Sequence, residues 1–471
     1  MRNIALTFLG CFTILAACSN SDDAEKSVTP VPTGDVTIYA TTNSLTRDLT
    51  RDAVNFSSKD NLAPTSITLD PTEQFQTMDG FGVAITGATC FNLLQMKPAD
   101  RHAFLTETFS DDKGFGFSYI RISIGCSDFS LSEYTCCDKK GIENFALQSE
   151  EKEYILPILK EILDINPSIK IIAAPWTCPT WMKVKSLTDL TPFESWTNGQ
   201  LNPAYYQDYA TYFVKWVQAF NAEGIDIYAV TPQNEPLNRG NSASLYMSWE
   251  EQRDFVKTAL GPQFKTAGLA TKIYAYDHNY DYSDIETEKN YPGKMYEDPA
   301  ASQYLAGAAY HNYGGNREEL LNMHKAYPEK ELLFTETSIG TWNSGRDLSK
   351  RLLEDMKEVA LGTINNWCKG DIVWNLMLDN DRAPNREGGC QTCYGAVDIS
   401  NSDYKTIIRN SHYYIIAHLS SVVKPGALRI GATGYADSNI MYSAFENPDG
   451  TYAFVLMNNN EKTKRITFSD G

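Results

Sequence analysis

The chain has 471 residues, of which 42% are hydrophobic, enough for a large core and for more than one domain. Its formal net charge is −18 and no basic patch stands out, which argues against nucleic acid and against an anionic membrane surface as partners. Aromatic residues make up 12% of the chain, a composition that suits both a large packed core and ring stacking on a neutral ligand.

The N-terminus has the pattern of an export signal. Arg2 precedes an apolar stretch, residues 4–17, that is too short to span a bilayer, and small residues lead to Cys18. We therefore predict a lipoprotein signal over residues 1–18, with Cys18 lipidated, and a flexible tether over residues 19–35. The expected location is the outer membrane at the cell surface, with membrane contact only through the lipid. An ordinary secretory peptide is the alternative.

Strand patterns at the two ends of the chain predict a β-sandwich. Residues 36–41 and 66–70 alternate before any helix, and short strands separated by turns follow from Leu428 onward. We assign residues 36–75 and 423–471 to this sandwich, with room for one more strand after Gly471.

Between the ends, strand and helix patterns alternate eight times, which predicts an α/β fold with a (β/α)8 TIM barrel over residues 76–422. The predicted barrel strands are Gly80–Ile85, Tyr119–Ser123, Lys170–Ala174, Asp226–Val230, Lys272–Tyr276, Gly307–His311, Leu332–Thr335 and Ile372–Leu376. The predicted helices include Glu150–Leu163, Tyr206–Asn221, Trp249–Leu260 and Leu348–Ile364.

Two glutamates follow buried strands in the same manner. Asn234 and Glu235 come directly after the strand that ends at Val230, and Glu336 ends the run from Glu331 to Thr335. The two glutamates lie 101 residues apart, which matches three strand–helix units of roughly 30 to 35 residues each. Both carboxylates are therefore expected at the same mouth of the barrel, as glycoside hydrolysis requires.

Eight cysteines remain after Cys11 and Cys18, and their spacing with histidine does not match a metal site, so no metal or other cofactor is expected. Cys390 and Cys393 form a C-x-x-C pattern in a Gly-rich loop. A disulfide between them, free thiols, and pairing with Cys136 or Cys137 all remain open.

These motifs resemble glycoside hydrolase family 30 from about Gln74 to the C-terminus. The matching stretches are Asp79-Gly80-Phe81-Gly82, the run from Tyr119 to Ser130, the run from Ala174 to Lys183, Thr231-Pro232-Gln233-Asn234-Glu235-Pro236, His311-Asn312-Tyr313, Phe334-Thr335-Glu336 and Val373-Trp374-Asn375-Leu376.

The resemblance implies a role for each site residue. Glu235 is the acid/base, kept protonated partly by the nearby charge of Glu336, and Glu336 is the nucleophile of a retaining mechanism. Asn234 binds the 2-hydroxyl of the sugar, and His311 and Tyr313 support the nucleophile. The sugar being cleaved lies among Arg121, Asp128, Trp176 and Trp374. Asp277, His278 and Asn279 are expected at the rim of the cleft, with helix capping as the alternative.

The loop from Gly388 to Asp398 resembles the subgroup of the family that cuts β-1,6-glucan more than it resembles glucosylceramidase. A β-glucan polysaccharide or oligosaccharide is therefore the expected substrate, and endo-β-1,6-glucanase the expected activity. Two alternatives remain: an exo-acting glucosylceramidase or β-glucosidase, and a surface glycan-binding protein without catalysis.

Overall fold

A computed structural model describes residues 32–57 and 65–469 of the chain. The predicted signal segment with Cys18, and most of the predicted tether, lie outside the described residues. Among those described, no helix combines the length and the apolar content needed to cross a bilayer.

Eight parallel strands close into a barrel, as predicted. In chain order they are β1 (Gly80–Ala84), β2 (Tyr119–Ser123), β3 (Lys170–Ala174), β4 (Ala229–Val230), β5 (Lys272–Asn279), β6 (Gly307–His311), β7 (Glu331–Glu336) and β8 (Cys368–Val373). Each strand pairs with its neighbour in sequence, and β8 pairs with β1 to complete the ring. The strands are almost wholly buried, as expected of parallel strands covered on both faces.

Helices surround the barrel and connect its strands. They span Gly87–Gln95, Pro98–Phe109, Leu156–Ile165, Tyr206–Ala222, Trp249–Phe255, Gly261–Thr266, Tyr291–Tyr296, Pro299–Ser302, Glu318–Ala326, Leu348–Asp355, Leu361–Ile364 and Ser411–Ser420. Wider π-type turns at Glu151–Ile155, Val256–Leu260 and Met356–Ala360 join or extend several of them, and short 3-10 turns lie at Ile142–Asn144, Thr180–Met182, Pro203–Tyr205, Tyr282–Asp284, Glu286–Glu288 and Thr341–Asn343.

A five-stranded sheet joins the two ends of the chain beside the barrel. Its strands, in spatial order, are Tyr452–Asn458, Ile440–Glu446, Leu428–Gly434, Ser66–Thr77 and Thr467–Ser469. The long strand Ser66–Thr77 pairs antiparallel with Leu428–Gly434, as the pattern at the two ends predicts. The side chain of Gln76 ties this sheet to the barrel through hydrogen bonds to the carbonyl oxygens of Ile364 and Cys368.

The first predicted strand has a different partner from the one expected. Val36–Ala40 pairs with Thr50–Val54 in a separate antiparallel hairpin, not with the C-terminal strands. The ring nitrogen Nε2 of His418, on the helix Ser411–Ser420, lies 2.8 Å from the hydroxyl of Thr41 at the end of this hairpin. The sequence pattern predicts a strand at this position. It does not predict which strand pairs with it, because pairing depends on contacts in the folded chain.

Three small sheets lie in the loops at the C-terminal face of the barrel. Lys183–Ser186, Asp189–Pro192 and Gln200–Leu201 form one, and Met377–Asp379, Val397–Ile399 and Ile407–Arg409 form another. A third joins Ile339–Gly340 to Cys393–Tyr394. These additions interrupt the loops that follow β3, β7 and β8, and they shape the mouth of the barrel where ligands of this fold bind.

Candidate active site

Both predicted glutamates lie at the C-terminal mouth of the barrel. Glu336 is the last residue of β7, and Glu235 lies in the loop that follows β4. Glu235 has a φ of 45°, a left-handed conformation that a non-glycine residue adopts only when its surroundings hold it there. Two backbone hydrogen bonds do so: Asn234 N–H donates to Pro175, and Glu235 N–H donates to Asp277.

A cavity of about 300 Å³ contains both carboxylates. Its walls are formed by Asp128, Glu235, Asn238, Asn241, His278, Asn279, Tyr313, Glu336, Ser338, Trp342, Trp374, Cys390 and Cys393. Five of the nine residues predicted to bind or cleave the sugar are therefore at its surface, as are His278 and Asn279, which were predicted at the rim. The other four lie buried behind this lining: Arg121, Trp176, Asn234 and His311.

Glu336 is held by hydrogen bonds to both of its oxygens. Arg121 Nη1 donates to Oε2 at 2.5 Å, and the hydroxyl of Tyr313 donates to Oε1 at 3.0 Å. Tyr313 also lies 3.0 Å from the hydroxyl of Ser338. Burial raises the pKa of Glu336, as does the charge of Glu235, while His311 and Arg121 oppose that rise. The donors fix the orientation of the carboxylate towards the cavity.

Asp277 is the centre of a buried ion network beneath the cavity. Its Oδ2 accepts hydrogen bonds from Arg121 at 2.8 Å and Thr231 at 2.7 Å, and its Oδ1 accepts one from Thr335 at 2.5 Å and lies 3.0 Å from His311 Nε2. Burial alone would raise the pKa of Asp277, but Arg121 and His311 outweigh it and hold that pKa well below its usual range. Asp277 is thus fully buried, not at the rim as expected.

Glu235 faces a different set of partners. Its Oε1 lies 3.4 Å from His311 Nδ1 and 3.9 Å from His278 Nε2, and its Oε2 accepts hydrogen bonds from Asn238 at 2.7 Å and Asn241 at 3.1 Å. Burial would raise the pKa of Glu235, but the hydrogen bond with His311 and the charges of both histidines outweigh it and lower that pKa to about 2. The expectation that a neighbouring charge keeps Glu235 protonated does not hold for this arrangement.

His311 connects the two halves of the site. Burial lowers the pKa of its imidazole, but the charge of Glu336 and the hydrogen bonds to Asp277 and Glu235 outweigh burial and raise that pKa to about 9. His311 is predicted to support the nucleophile; its hydrogen-bond partners are Asp277 and Glu235, and its charge opposes the rise in the pKa of Glu336. One oxygen of Glu235, one ring nitrogen of His311 and one oxygen of Glu336 lie within 4.8 Å of one another.

The floor of the cavity carries polar atoms without a partner. Asp128 Oδ1 and Trp374 Nε1 are buried and make no hydrogen bond within the part of the chain that the structure describes. The indole of Trp374 stacks on that of Trp176 with ring centroids 5.0 Å apart, and Arg121 lies over both rings. Since buried polar groups are normally hydrogen-bonded, these two atoms are suited to receive the hydroxyl groups of a ligand.

Burial raises the pKa of Asp128 to about 8, and the charges of Glu336 and Glu235 add to that rise. Hydroxyl donors from a bound sugar would favour its charged form and so lower its pKa.

The Gly-rich loop after β8 closes one side of the cavity. Cys390 and Cys393 form a disulfide with each other, which is one of the three arrangements that the sequence left open. Cys136 and Cys137 are buried free thiols. Arg386 Nη2 donates to the carbonyl oxygens of Ser127 at 2.7 Å and Ser242 at 2.5 Å. This loop is thereby fixed beside Asp128.

Sequence reasoning missed several residues of the site: Asn238, Asn241, Ser338, Trp342 and Arg386. Asn238 and Asn241 lie only three and six residues beyond Glu235, and Ser338 and Trp342 lie two and six residues beyond Glu336. Their place in the chain, shortly after a strand-end glutamate, is the signal that was available.

Comparisons with known proteins agree with this architecture. The family model described as "Glycosyl hydrolase family 30 TIM-barrel domain" matches residues 78–423, and the one described as "Glycosyl hydrolase family 30 beta sandwich domain" matches residues 426–471. The solved structure of the endo-beta1,6-glucanase BT3312 is 86% identical to this chain, with a TM-score of 0.92, over 93% of this chain and 95% of that one.

Two curated relatives carry different activities in their names. Endo-1,6-beta-D-glucanase BGN16.3 from Trichoderma harzianum is 32% identical, over 81% of this chain and 78% of that protein. Lysosomal acid glucosylceramidase from Mus musculus is 26% identical, over 86% of this chain and 79% of that protein. The resemblance inferred from the sequence motifs is confirmed: the chain belongs to glycosyl hydrolase family 30, a family of glycoside hydrolases.

Proposed function

We propose that this protein is a retaining endo-β-1,6-glucanase in which Glu336 is the nucleophile and Glu235 the acid/base. The observation that carries the proposal is the pair of buried carboxylates in one cavity, with an oxygen of Glu235 within 4.8 Å of an oxygen of Glu336. Retaining glycosidases keep their two carboxyl groups about 5–5.5 Å apart, whereas inverting enzymes need roughly 6.5–9.5 Å to admit a water molecule.

The contacts of Glu336 suit a nucleophile. Arg121 is a permanent cation, and with the hydroxyl of Tyr313 it stabilises the carboxylate and aims it into the cavity. Attack by Glu336 on the anomeric carbon breaks the bond to the leaving oxygen and forms a covalent glycosyl-enzyme, and the negative charge of the carboxylate is used up in the new ester bond.

The contact between Glu235 and His311 provides the proton that general acid catalysis needs. With both glutamates ionised, the pKa of His311 is about 9, so its imidazole is protonated at neutral pH, and its Nδ1 lies 3.4 Å from Glu235 Oε1. The state with neutral His311 and protonated Glu235 has the same net charge, so one proton serves both groups. When Glu235 passes that proton to the leaving oxygen, it becomes the base that deprotonates water for the second step, which frees the sugar with its β configuration retained.

The buried polar atoms of the floor suit a glucosyl unit. Asp128 Oδ1 and Trp374 Nε1 are free to bind sugar hydroxyls. Arg121 Nη2 donates to Asn234 Oδ1 at 2.7 Å, which leaves the amide Nδ2 of Asn234 as the group that donates to the 2-hydroxyl. The charge of Arg121 thus orients the amide as well as the nucleophile.

The preference for β-1,6-glucan rests on the relatives. Identity is 86% to the solved endo-beta1,6-glucanase and 26% to the mouse glucosylceramidase. In the loop after β8, the disulfide-bonded Cys390 and Cys393 form part of the cavity wall. Glucosylceramidase activity is the second candidate, because that relative also matches 86% of this chain.

We also propose that the protein is an exported lipoprotein. The apolar stretch, the small residues before Cys18 and the polar, acidic residues 19–23 support acylation of this cysteine and display at the cell surface. A surface anchor would bring the enzyme to polysaccharides outside the cell.

The test compares three substrates under identical conditions: β-1,6-glucan, an aryl β-glucoside and glucosylceramide. We expect the highest kcat/KM on the glucan, with a ladder of oligosaccharides at early times. Release of glucose alone would overturn endo action. A higher kcat/KM on glucosylceramide than on the glucan would overturn the substrate assignment.

A further inference from the structure

Trp342 lies at the mouth of the cavity, on the same wall as the disulfide. After the short strand Ile339–Gly340 the chain makes one 3-10 turn, Thr341–Asn343, and the indole of Trp342 forms part of the cavity lining. Gly340 pairs with Cys393 in the two-stranded sheet, and the N–H of Thr341 donates to the carbonyl of Thr392 at 2.9 Å. The turn and the disulfide loop are thus joined by backbone hydrogen bonds.

This wall is fixed to the floor of the cavity. Arg386 holds the loop through the carbonyls of Ser127 and Ser242, and Gly389 packs so closely that a Cβ there would meet the carbonyl oxygen of Asp128 at 2.2 Å. The ring of Trp342 lies against its own strand, because a Cβ at Gly340 would meet it at 1.9 Å. The indole is therefore held in position by its backbone while much of its surface remains open.

Trp342 is not packed into the core, although it is a large aromatic residue. It is 53% exposed, and it is the sole exposed tryptophan of the eight in the chain, all of which lie within residues 32–57 and 65–469. A large aromatic side chain normally gains free energy by burial, so an open indole beside a catalytic cavity is suited to an apolar face of a ligand.

We propose that Trp342 is the stacking platform for a second glucosyl unit, next to the sugar bound over Asp128 and Trp374. Trp374 and the Oδ1 atom of Asp128 are buried at the floor, so they receive the sugar that is cleaved, whereas the indole of Trp342 lies at the mouth, where the neighbouring unit of the chain has to pass. The less polar C–H face of a glucosyl ring fits the open indole. This inference rests on the proposed glucanase function and adds a specificity-determining residue to it.

The test measures Trp342→Ala on β-1,6-glucan, on short β-1,6-linked oligosaccharides and on an aryl β-glucoside. We expect kcat/KM on the glucan and oligosaccharides to fall by about tenfold, mainly through KM, as the loss of one aromatic contact predicts. The fall with the aryl glucoside should be much smaller. Trp342→Phe, which keeps a ring, should restore most of the activity on the oligosaccharides.

Two controls make the outcome unambiguous. Ile408→Ala removes another exposed apolar side chain, outside the cavity lining, and should leave kcat/KM on the glucan unchanged. Thermal unfolding checks that Trp342→Ala is folded. If the wild type cleaves β-1,6-glucan and Trp342→Ala does so equally well, the platform is refuted while the proposed function stands. If the wild type does not cleave β-1,6-glucan, the proposed function itself fails.

Discussion

The two glutamates of the site differ in their surroundings more than in their depth. Glu336 faces a permanent cation, Arg121, whereas Glu235 faces His311, which can give up its proton. A fixed positive charge favours a carboxylate that attacks, and a titratable partner favours one that exchanges a proton. The division of roles therefore follows from the partner of each side chain.

Replacing Glu336 with glutamine tests the nucleophile. Glu336→Gln removes the attacking oxygen and leaves the floor of the cavity intact, so turnover of β-1,6-glucan should fall by more than about a thousandfold while binding of the glucan persists. Steady-state rates and calorimetric titration with an oligosaccharide measure the two effects. Wild-type turnover in this variant would mean that another group attacks.

Replacing Glu235 with alanine separates the acid/base from the nucleophile. Hydrolysis of the glucan, whose leaving group needs a proton, should fall by the order of 10²–10⁴ expected of general acid catalysis. A dinitrophenyl β-glucoside needs little protonation, so its first step should persist and the covalent intermediate should accumulate. Added azide should restore turnover and yield a β-glycosyl azide. An α-glycosyl azide from the same mixture would refute both the role of Glu235 and retention.

The shared proton predicts a pH dependence of stability. His311 has a folded pKa of about 9 against an ordinary value of 6.5, so its stabilising contribution is fully present below about pH 6.5 and is lost as the pH rises through 9. Thermal unfolding of the wild type should therefore show a larger loss of Tm between pH 6 and pH 9.5 than that of His311→Gln. If Tm falls equally in the two proteins over this pH range, the elevated pKa of His311 is contradicted.

The residues at strand ends were predictable, and the network behind them was not. Glu235 and Glu336 each follow a short apolar run, a local pattern that a single sequence displays. Asp277 also follows a strand, but its burial and its bonds to Arg121 and His311 depend on the closure of the barrel, which brings together residues 156 and 34 positions apart. The contact of His311 with Glu235, in addition to its charge near Glu336, could not be predicted for the same reason.

At the scale of elements, apolar periodicity predicted the barrel well and the pairing of the chain ends less well. The strand predicted at Asp226–Val230 is reduced to Ala229–Val230, and the one predicted at Ile372–Leu376 spans Cys368–Val373. The first of these strands loses residues at its start, whereas the second ends earlier because the buried residues 374–376 continue its pattern into the loop that carries the site. The hairpin Val36–Val54 pairs with itself because its two strands are close in sequence.

The loop after β8 provides an element-scale prediction. Gly389→Ala places a Cβ 2.2 Å from the carbonyl oxygen of Asp128, so the loop must shift away from the floor of the cavity. Overpacking of this kind costs about 1–3 kcal/mol, and we expect kcat/KM on the glucan to fall by about tenfold or more with a small change in Tm. Gly450→Ala, in a turn of the five-stranded sheet and outside the cavity lining, is the control, since a Cβ there would meet nothing within 4 Å. Equal activities of the two variants would contradict a positioning role for this loop.

At the scale of the whole molecule, the predicted lipid anchor at Cys18 comes before the catalytic barrel and the sheet that both chain ends build. Cys18→Ala should release the protein from the membrane fraction without a change in specific activity, because the catalytic residues lie more than a hundred positions beyond it. A single acyl chain anchors only marginally, so we expect more than one on the mature cysteine. Fractionation that leaves the variant on the membrane would refute the lipoprotein proposal.

The stereochemistry of hydrolysis tests the central claim most directly. Proton NMR during the first minutes of β-1,6-glucan cleavage reports the anomeric configuration of each new reducing end before mutarotation. Two glutamates within the spacing of a retaining enzyme predict that the β-anomer appears first and the α-anomer follows slowly, with no new ends from Glu336→Gln. An α-anomer that appears first would contradict the account.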